Sequence, residues 1–219
     1  MSLGQRLMGE RRGHADDGSG GHITRPRVYE IAGALGFLGQ RRRVYDGLVA
    51  AAGIRLGDAV CDIGCGTGYL SRRVALAVGP AGRVTGVDPS APVIAYARRA
   101  APPNAQFVVA GGEQVPLPDA GFDVVVSSLA IHHIPPQLRG AAMREMARLV
   151  RPGGRLFVAD FRPPRPGFAN SLVAKLSGHA MAHNPIGELA AIVTAAGFTV
   201  VAEGDRWPML HYVRAVAPS

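Results

Sequence analysis

The chain has 219 residues, of which 47% are hydrophobic and 18% are charged, and its net charge is +8. This composition is typical of a folded globular protein and excludes a fibrous or disordered chain, and the length allows one well-buried domain but not two ordinary ones. No apolar run approaches the roughly twenty residues that span a bilayer, and no apolar segment follows Arg11 and Arg12, as an export signal requires. We therefore expect a cytoplasmic protein without a membrane span.

The positive charge does not by itself indicate nucleic-acid binding. Arginine supplies nearly all of it, since Lys175 is the only lysine, and the densest cluster, Arg41–Arg43, fits a solvated helix face. The sequence shows no basic stripe interleaved with aromatic residues, on which bases would stack. We expect a small-molecule partner and no nucleic acid, for a chain that is a monomer or a homodimer.

The N-terminal quarter changes character along its length. Residues 1–25 are polar and glycine-rich, which predicts a disordered tail, and residues 26–219 are expected to form one domain. Within 26–57 we predict helices, because Val44, Leu48 and Ala51 recur at helical spacing.

From residue 59 onward, predicted strands and helices alternate. The predicted strands are Ala59–Gly64, Arg83–Asp88, Gln106–Ala110, Asp123–Ser128 and Arg155–Asp160. The predicted helices are Thr67–Val78, Ala91–Ala100, Gln137–Val150 and Ile186–Ala196. Gly79-Pro80 and Pro152-Gly153-Gly154 are expected to end two of them. Two further strand-like runs follow, Phe198–Trp207 and Met209–Val216. This alternation predicts an α/β fold with a mostly parallel sheet covered on both faces.

The most informative segment is Val60–Gly68, an apolar run that breaks into alternating glycines. It predicts a strand that ends in a tight turn and leads into a helix, where backbone N–H groups can face a ligand. Asp88 closes the next predicted strand about twenty residues later, the offset at which a carboxylate accepts hydrogen bonds from ribose hydroxyls. Together the two features indicate an adenosine-containing ligand.

Four segments have the order and spacing found in a known family: Val60–Gly68, Gly86–Ser90, Gly121–Val125 and Arg151–Gly154. Over about residues 40–160 the chain resembles class I S-adenosylmethionine-dependent methyltransferases, in the ubiquinone/menaquinone-type branch (methyltransferase type 11). The resemblance implies a Rossmann-like, seven-stranded sandwich whose last two strands form an antiparallel hairpin. It also implies S-adenosyl-L-methionine as cofactor and S-adenosyl-L-homocysteine as product.

The resemblance further implies which residues hold the cofactor. They are Asp62, Gly64, Gly66, Thr67, Gly68, Asp88, Pro89, Gly111, Gly112 and Ser128. The glycines would meet the methionine part, and Asp62 would help to hold its ammonium group. Asp88 would bridge the ribose hydroxyls, and Pro89 would cover the adenine. Ser128 would lie near the sulfonium, whereas Thr67 would either cap the following helix or touch the ligand.

One position departs from the family pattern. The segment Ala110–Pro116 resembles Gly-Asp-Ala-Glu-x-Leu-Pro, but Gly111 stands where the family has an acid that meets the adenine amine. The N–H of Gly112 can still donate to the adenine ring, while the amine lacks a side-chain partner at position 111. A missing hydrogen bond of this kind costs roughly 1–2 kcal/mol, so we expect looser adenosine recognition.

Candidate catalytic residues follow the fourth and fifth predicted strands. They are His132 and His133 after the fourth strand and Asp160 at the end of the fifth. In this fold both strand ends face the cofactor's methyl group, and a His–carboxylate pair there can deprotonate an acceptor, since imidazole titrates near neutrality. We favour His133 paired with Asp160. The alternative is that the two histidines only pack and bind loop backbone.

Substrate walls are expected from the two segments that match the family only in outline. The candidates are Tyr29, Phe37, Tyr45, Phe161, Phe168, Leu172, His179 and His183. Residues 162–185 would form a lid, and its apolar character suits an aromatic, quinone-like or secondary-metabolite acceptor. The alternative is a surface loop that covers the sheet edge. His179 and His183 are one helical turn apart, but no third ligand is in reach, so we predict no metal site.

The motifs favour a methyltransferase that acts on an oxygen or an activated carbon of a small molecule. Two alternatives stay open from the sequence alone. The first is a cofactor-binding relative that transfers no methyl group, such as an electrostatic cyclase or a binding protein. The second is an RNA or protein methyltransferase.

Overall fold

A computed structural model describes residues 39–162 and 186–219. The helices of this part of the chain are α1 (Arg41–Ala52), α2 (Tyr69–Val78), α3 (Ala91–Arg99), α4 (Pro136–Leu149) and α5 (Leu189–Ala195). Its strands are β1 (Ala59–Ile63), β2 (Arg83–Asp88), β3 (Ala105–Val109), β4 (Phe122–Ser128), β5 (Val150–Phe161), β6 (Thr199–Arg206) and β7 (Leu210–Val216). The predicted tail at 1–25 lies outside the described residues, and so does the predicted lid at 162–185 except for its first residue.

The seven strands form one sheet in the order β3-β2-β1-β4-β5-β7-β6. The strands from β1 to β5 pair in parallel, and β7 pairs antiparallel with both β5 and β6. Parallel neighbours require crossover connections, which the intervening helices provide. This topology confirms the predicted α/β fold with its C-terminal antiparallel hairpin.

Alternate residues of the central strands pack on opposite faces of the sheet. Cys61 of β1 and Val125 of β4 belong to the apolar cluster that includes α4 and α5. Val60 and Val124 belong to the cluster that includes α1 and α2. Because both faces are covered, these strands carry almost no polar side chains until they end. Polar groups therefore collect at the carboxyl ends of the strands.

Several predicted boundaries differ from those of the structure, and two of the differences have a local cause. Helix α2 begins at Tyr69 and not at Thr67, because Gly68 adopts a left-handed conformation in the N-cap position. Pro152–Gly154 do not end a helix. The chain passes directly from α4 into β5 at Val150, and these residues lie within that strand.

The order of the strands reverses between β1 and β4. Chain connections from β1 lead to β2 and β3 on one side of the sheet, whereas β4 and β5 lie on the other side. Ligands of open α/β sheets bind outside the carboxyl ends of the strands at such a point. Among the described helices, none is long and apolar enough to cross a bilayer.

Candidate active site

The turn after β1 contains three glycines that differ in what surrounds them. All three have positive φ angles, +72° at Gly64, +54° at Gly66 and +75° at Gly68. A Cβ atom on Gly64 would overlap Ala130, and one on Gly68 would lie 2.7 Å from the ring of Phe107. A Cβ on Gly66 would meet no atom within 4 Å. Packing therefore explains two of the glycines, while Gly66 leaves exposed backbone that a ligand can approach.

The glycine turn is fixed to the end of β2. The N–H groups of Gly64 and Cys65 both donate to the carbonyl of Val87, at 2.8 and 2.9 Å. The Asp88 carboxylate accepts from the N–H of Gly66 at 3.0 Å through Oδ2 and from the N–H of Ser90 at 2.9 Å through Oδ1. These two N–H groups fix the orientation of the carboxylate at the edge of the glycine turn, and a carboxylate can accept hydrogen bonds from ribose hydroxyls.

Asp62 lies at the end of β1 below the glycine turn and is almost fully buried. The Ser71 hydroxyl of α2 donates to its Oδ2 at 2.6 Å. Burial raises the pKa of the Asp62 carboxyl to about 7, Asp88 raises it further, and the Ser71 hydrogen bond opposes part of the rise. A buried carboxyl of this kind is suited to a cationic group such as an ammonium, which stabilises its ionised form.

Thr67 and Pro89 occupy the remaining positions of the two turns. Thr67 is buried, and Gly68 is the N-cap residue of α2. Contact of Thr67 with the ligand stays a prediction. Pro89 is exposed beside Asp88, so its ring is accessible to a base stacked on it.

The segment after β3 carries the departure from the family pattern. A Cβ on Gly112 would lie 3.0 Å from Ile63, so this glycine faces the apolar core. A Cβ on Gly111 would lie 2.7 Å from the Cδ atom of Glu113, whose carboxylate turns back over Gly111. The space above Gly111 therefore already holds an acidic group, which the sequence pattern did not reveal.

The serines at the end of β4 have unused hydrogen-bonding capacity. The hydroxyls of Ser127 and Ser128 are buried, and neither has a hydrogen-bond partner within residues 39–162 and 186–219. A buried hydroxyl without a partner costs free energy unless a ligand or water satisfies it. The position of Ser128 at the carboxyl end of the strand fits the predicted contact with a cofactor.

His132 and Asp160 form the catalytic candidate with the best-defined geometry. Ser128 and Ala159 are paired in register, so the ends of β4 and β5 lie side by side. Nδ1 of His132 lies 2.6 Å from Oδ1 of Asp160, and the backbone N–H of His132 donates to Oδ2 at 3.1 Å. Because a carboxylate only accepts, the imidazole proton lies on Nδ1, and Nε2 carries the free lone pair.

His133 does not make the pairing that we expected from the sequence. The Asp160 carboxylate bonds His132, and the His133 ring stacks on the His132 ring with centroids 4.0 Å apart. Burial and the neighbouring His132 lower the pKa of His133 to about 4. His133 is therefore neutral and weakly basic at physiological pH, and His132 is the histidine that contacts the Asp160 carboxylate.

Two of the predicted substrate residues lie in the described part of the chain. Tyr45 of α1 is buried in an apolar cluster, with its ring edge-on to that of Tyr69 and the ring centroids 4.9 Å apart, so it packs in the core and does not line an open wall. Phe161 is half-buried, and its ring centroid lies 6.2 Å from that of His132. Phe161 is therefore placed to border an acceptor site. The other predicted wall residues lie outside the described residues, namely Tyr29, Phe37, Phe168, Leu172, His179 and His183.

Comparison with known proteins agrees with this geometry. Residues 60–154 match a family model described as a methyltransferase domain. The chain is 36% identical over 133 residues to the ubiquinone/menaquinone biosynthesis C-methyltransferase UbiE of Ectopseudomonas mendocina, covering 58% of this chain and 50% of the relative. It is 33% identical over 152 residues to the enzyme of the same name from Hahella chejuensis, covering 67% and 59%.

The fold also matches a solved structure, a SAM-dependent methyltransferase from Aquifex aeolicus. The TM-score is 0.68 at 19% identity, with 88% of this chain and 98% of the other covered. The chain spans about half the length of the curated relatives that it matches. The comparisons confirm the predicted relationship to class I S-adenosylmethionine-dependent methyltransferases of the ubiquinone type, a family that implies S-adenosylmethionine as the cofactor.

Proposed function

We propose that this chain, a relative of the ubiquinone-type methyltransferases, transfers a methyl group to an oxygen or an activated carbon of a small aromatic or quinone-like molecule. The observation that carries the proposal is the His132–Asp160 pair, with 2.6 Å between Nδ1 and Oδ1, at the end of β4 and β5. The turn that holds Gly66 follows β1, the neighbour of β4, and lies at the same edge of the sheet as Asp88 at the end of β2. A base and an adenosine-binding turn thus meet at the switch point.

The residues at this edge fit the cofactor in three respects. Gly66 exposes backbone, Asp88 presents an oriented carboxylate, and the Ser128 hydroxyl lacks a partner among the described residues. Asp62 adds a buried carboxyl that gains from a cationic partner. S-adenosylmethionine supplies an electrophilic methyl carbon bound to a sulfonium. The protein's task is to hold the acceptor in line with that carbon and to exclude water.

His132 provides the proton acceptor that such a transfer needs when the acceptor is a phenol, a quinol or an acidic carbon. Nε2 of His132 would take the acceptor's proton, and bound S-adenosylmethionine would supply the methyl carbon, its sulfur keeping the electron pair of the broken bond as S-adenosylhomocysteine leaves. Asp160 holds the imidazole in the correct tautomer and stabilises the imidazolium that forms. Phe161, next to His132, offers an apolar surface to an aromatic acceptor.

The printed names of the two relatives favour a quinone-type acceptor and a carbon atom as the site of methylation. The ring of Phe161, whose centroid lies 6.2 Å from that of His132, offers an apolar surface that suits such an acceptor. We therefore place quinols and polyphenols first among the candidate acceptors.

The test is acceptor-dependent release of S-adenosylhomocysteine from S-adenosylmethionine, measured with a panel of quinols and phenols. We expect turnover with at least one of them, and a loss of roughly 10²- to 10⁴-fold in kcat for His132→Gln. His211→Gln is a matched control, because His211 is also buried and its Nδ1 also lies 2.7 Å from a carboxylate, that of Asp205. If the protein binds S-adenosylhomocysteine but releases none with any acceptor, it is a cofactor-binding relative and the proposal fails.

A further inference from the structure

The loop between β3 and β4 adds an acidic side chain to the edge where the adenosine would lie. β3 runs parallel to β2, with Val109 in register with Asp88, and the N–H of Ala110 donates to the carbonyl of Asp88 at 3.2 Å. Gly111 is the next residue along the chain. It therefore lies beside the carboxylate that we assign to the ribose, on the side away from the glycine turn.

The carboxylate of Glu113 occupies the space that a side chain at position 111 would fill. An ideal Cβ on Gly111 would lie 2.7 Å from both Cδ and Oε2 of Glu113. The φ angle of Gly111 is outside the left-handed region, so its backbone does not demand glycine. The carboxylate of Glu113 leaves no room for a larger residue at position 111. Conversely, this carboxylate fits there because Gly111 has no side chain.

The position of Glu113 is set by a tight turn. The N–H of Gln114 donates to the carbonyl of Gly111 at 3.3 Å, which makes Gly112 and Glu113 the two central residues of the turn. This turn is anchored by α4. Glu145 accepts from the N–H of Val115 at 2.7 Å, and Arg148 donates to the carbonyl of Val115 at 2.9 Å.

No described residue, in either 39–162 or 186–219, donates a hydrogen bond or forms an ion pair with the Glu113 carboxylate. Its oxygens are therefore able to accept from a ligand. Adenine presents an exocyclic amine with two N–H donors, and the three atoms nearest to a Cβ on Gly111 all belong to the Glu113 carboxylate.

We propose that Glu113 accepts a hydrogen bond from the exocyclic amine of the adenine ring, and that glycine at position 111 makes room for it. The inference rests on the proposed function, since it concerns the adenosine part of the same cofactor. It makes Glu113 a specificity-determining residue for adenine over bases that carry an oxygen at that position. A carboxylate facing the 6-oxo group of hypoxanthine would meet an acceptor instead of a donor.

The test compares S-adenosylhomocysteine with S-inosylhomocysteine, in which an oxygen replaces the amine, by calorimetric titration of the full chain. We expect the unaltered protein to prefer S-adenosylhomocysteine by roughly ten- to a hundredfold, the range for a hydrogen bond to a charged group. We expect Glu113→Ala to lose most of that preference and to bind S-adenosylhomocysteine more weakly by a similar factor.

The double variant Gly111→Asp with Glu113→Ala tests more stringently whether a carboxylate in this space sets the preference for adenine. Once Glu113 is truncated, the volume above Gly111 is empty, and an aspartate at position 111 can place a carboxylate there. This variant restores the preference for the adenine compound, whereas Glu113→Ala alone does not. Gln114→Ala, which alters an exposed neighbour in the same turn, leaves both affinities unchanged. Equal melting temperatures show that the variants are folded.

The outcomes separate this inference from the proposed function. If Glu113→Ala binds S-adenosylhomocysteine as tightly as the unaltered protein and keeps its preference for adenine, Glu113 has no role and the inference is overturned. If the unaltered protein binds neither compound, the adenosine site itself is absent, and the proposed function falls with the inference.

Discussion

The buried carboxyl of Asp62 makes the stability of this protein depend on pH in a direction that can be worked out from the structure. Burial and the nearby Asp88 raise its pKa from 3.8 to about 7, although Ser71 donates to it. Between these two values the native protein keeps a proton that the unfolded chain has released. The free energy of unfolding therefore falls as pH rises through this interval.

The size of the effect follows from the two pKa values. At about 1.4 kcal/mol per unit, the difference between 3.8 and about 7 corresponds to about 4 kcal/mol at pH 8. At pH 5 only about 2 kcal/mol of this cost has developed, because pH 5 lies only about one unit above the pKa of this carboxyl in the unfolded chain. Asp62→Asn cannot ionise, and its amide oxygen can still accept from the Ser71 hydroxyl. The variant therefore gains stability relative to the unaltered protein by about 2 to 3 kcal/mol between pH 5 and pH 8.

Urea unfolding of both proteins at pH 5 and pH 8 measures this difference. Asp46→Asn is the control, since Asp46 is a partly exposed carboxylate that pairs with Arg73 on the helical surface. We expect the gain of Asp62→Asn to grow with pH and that of the control to stay within about 0.5 kcal/mol. A gain for Asp62→Asn that is the same at both pH values would refute the assignment of a proton to buried Asp62.

Three further predictions concern other parts of the site. Because the pKa of His133 is lowered to about 4, the unfolded chain binds a proton there before the native protein does, and stability falls as pH falls from 6.5 to 4. We expect His133→Asn to reduce this loss of stability in the same unfolding assay. Gly66→Ala weakens binding of S-adenosylhomocysteine more than it lowers the melting temperature, while Gly68→Ala mainly lowers the melting temperature because its Cβ meets Phe107; equal effects would contradict the distinction. Arg148→Met removes the donors to the loop after β3 and weakens binding of S-adenosylhomocysteine several-fold, measured by titration; unchanged affinity would show that the loop needs no anchor.

The order of strands and helices was predictable from the sequence, because apolar runs and helical periodicity reflect which faces are buried. The predicted strand Arg83–Asp88 agrees with β2 at both ends, and β1 differs by one residue. The start of α2 was wrong because the left-handed conformation of Gly68 depends on its packing against Phe107, a residue of another strand.

The side-chain pairings were harder to predict, since they depend on the register between strands. Sequence reasoning placed a histidine and Asp160 together but favoured His133. The 3₁₀ turn at Ile131–His133 brings His132 to the carboxylate instead. The position of Glu113 over Gly111 was missed for a similar reason. It results from a tight turn that α4 anchors, and the only sequence signal was the missing side chain at position 111.

The central claim is an adenosine-binding site built on Asp88 and the glycine turn, and calorimetric titration of S-adenosylmethionine and S-adenosylhomocysteine tests it most directly. The account predicts that both compounds bind to one site. It also predicts that Asp88→Ala, which removes both carboxylate oxygens beside Gly66, lowers the affinity for both compounds by roughly tenfold to a hundredfold or more. Asp46→Ala should leave both affinities unchanged. Absence of binding by the folded protein, or binding that Asp88→Ala does not weaken, would contradict it.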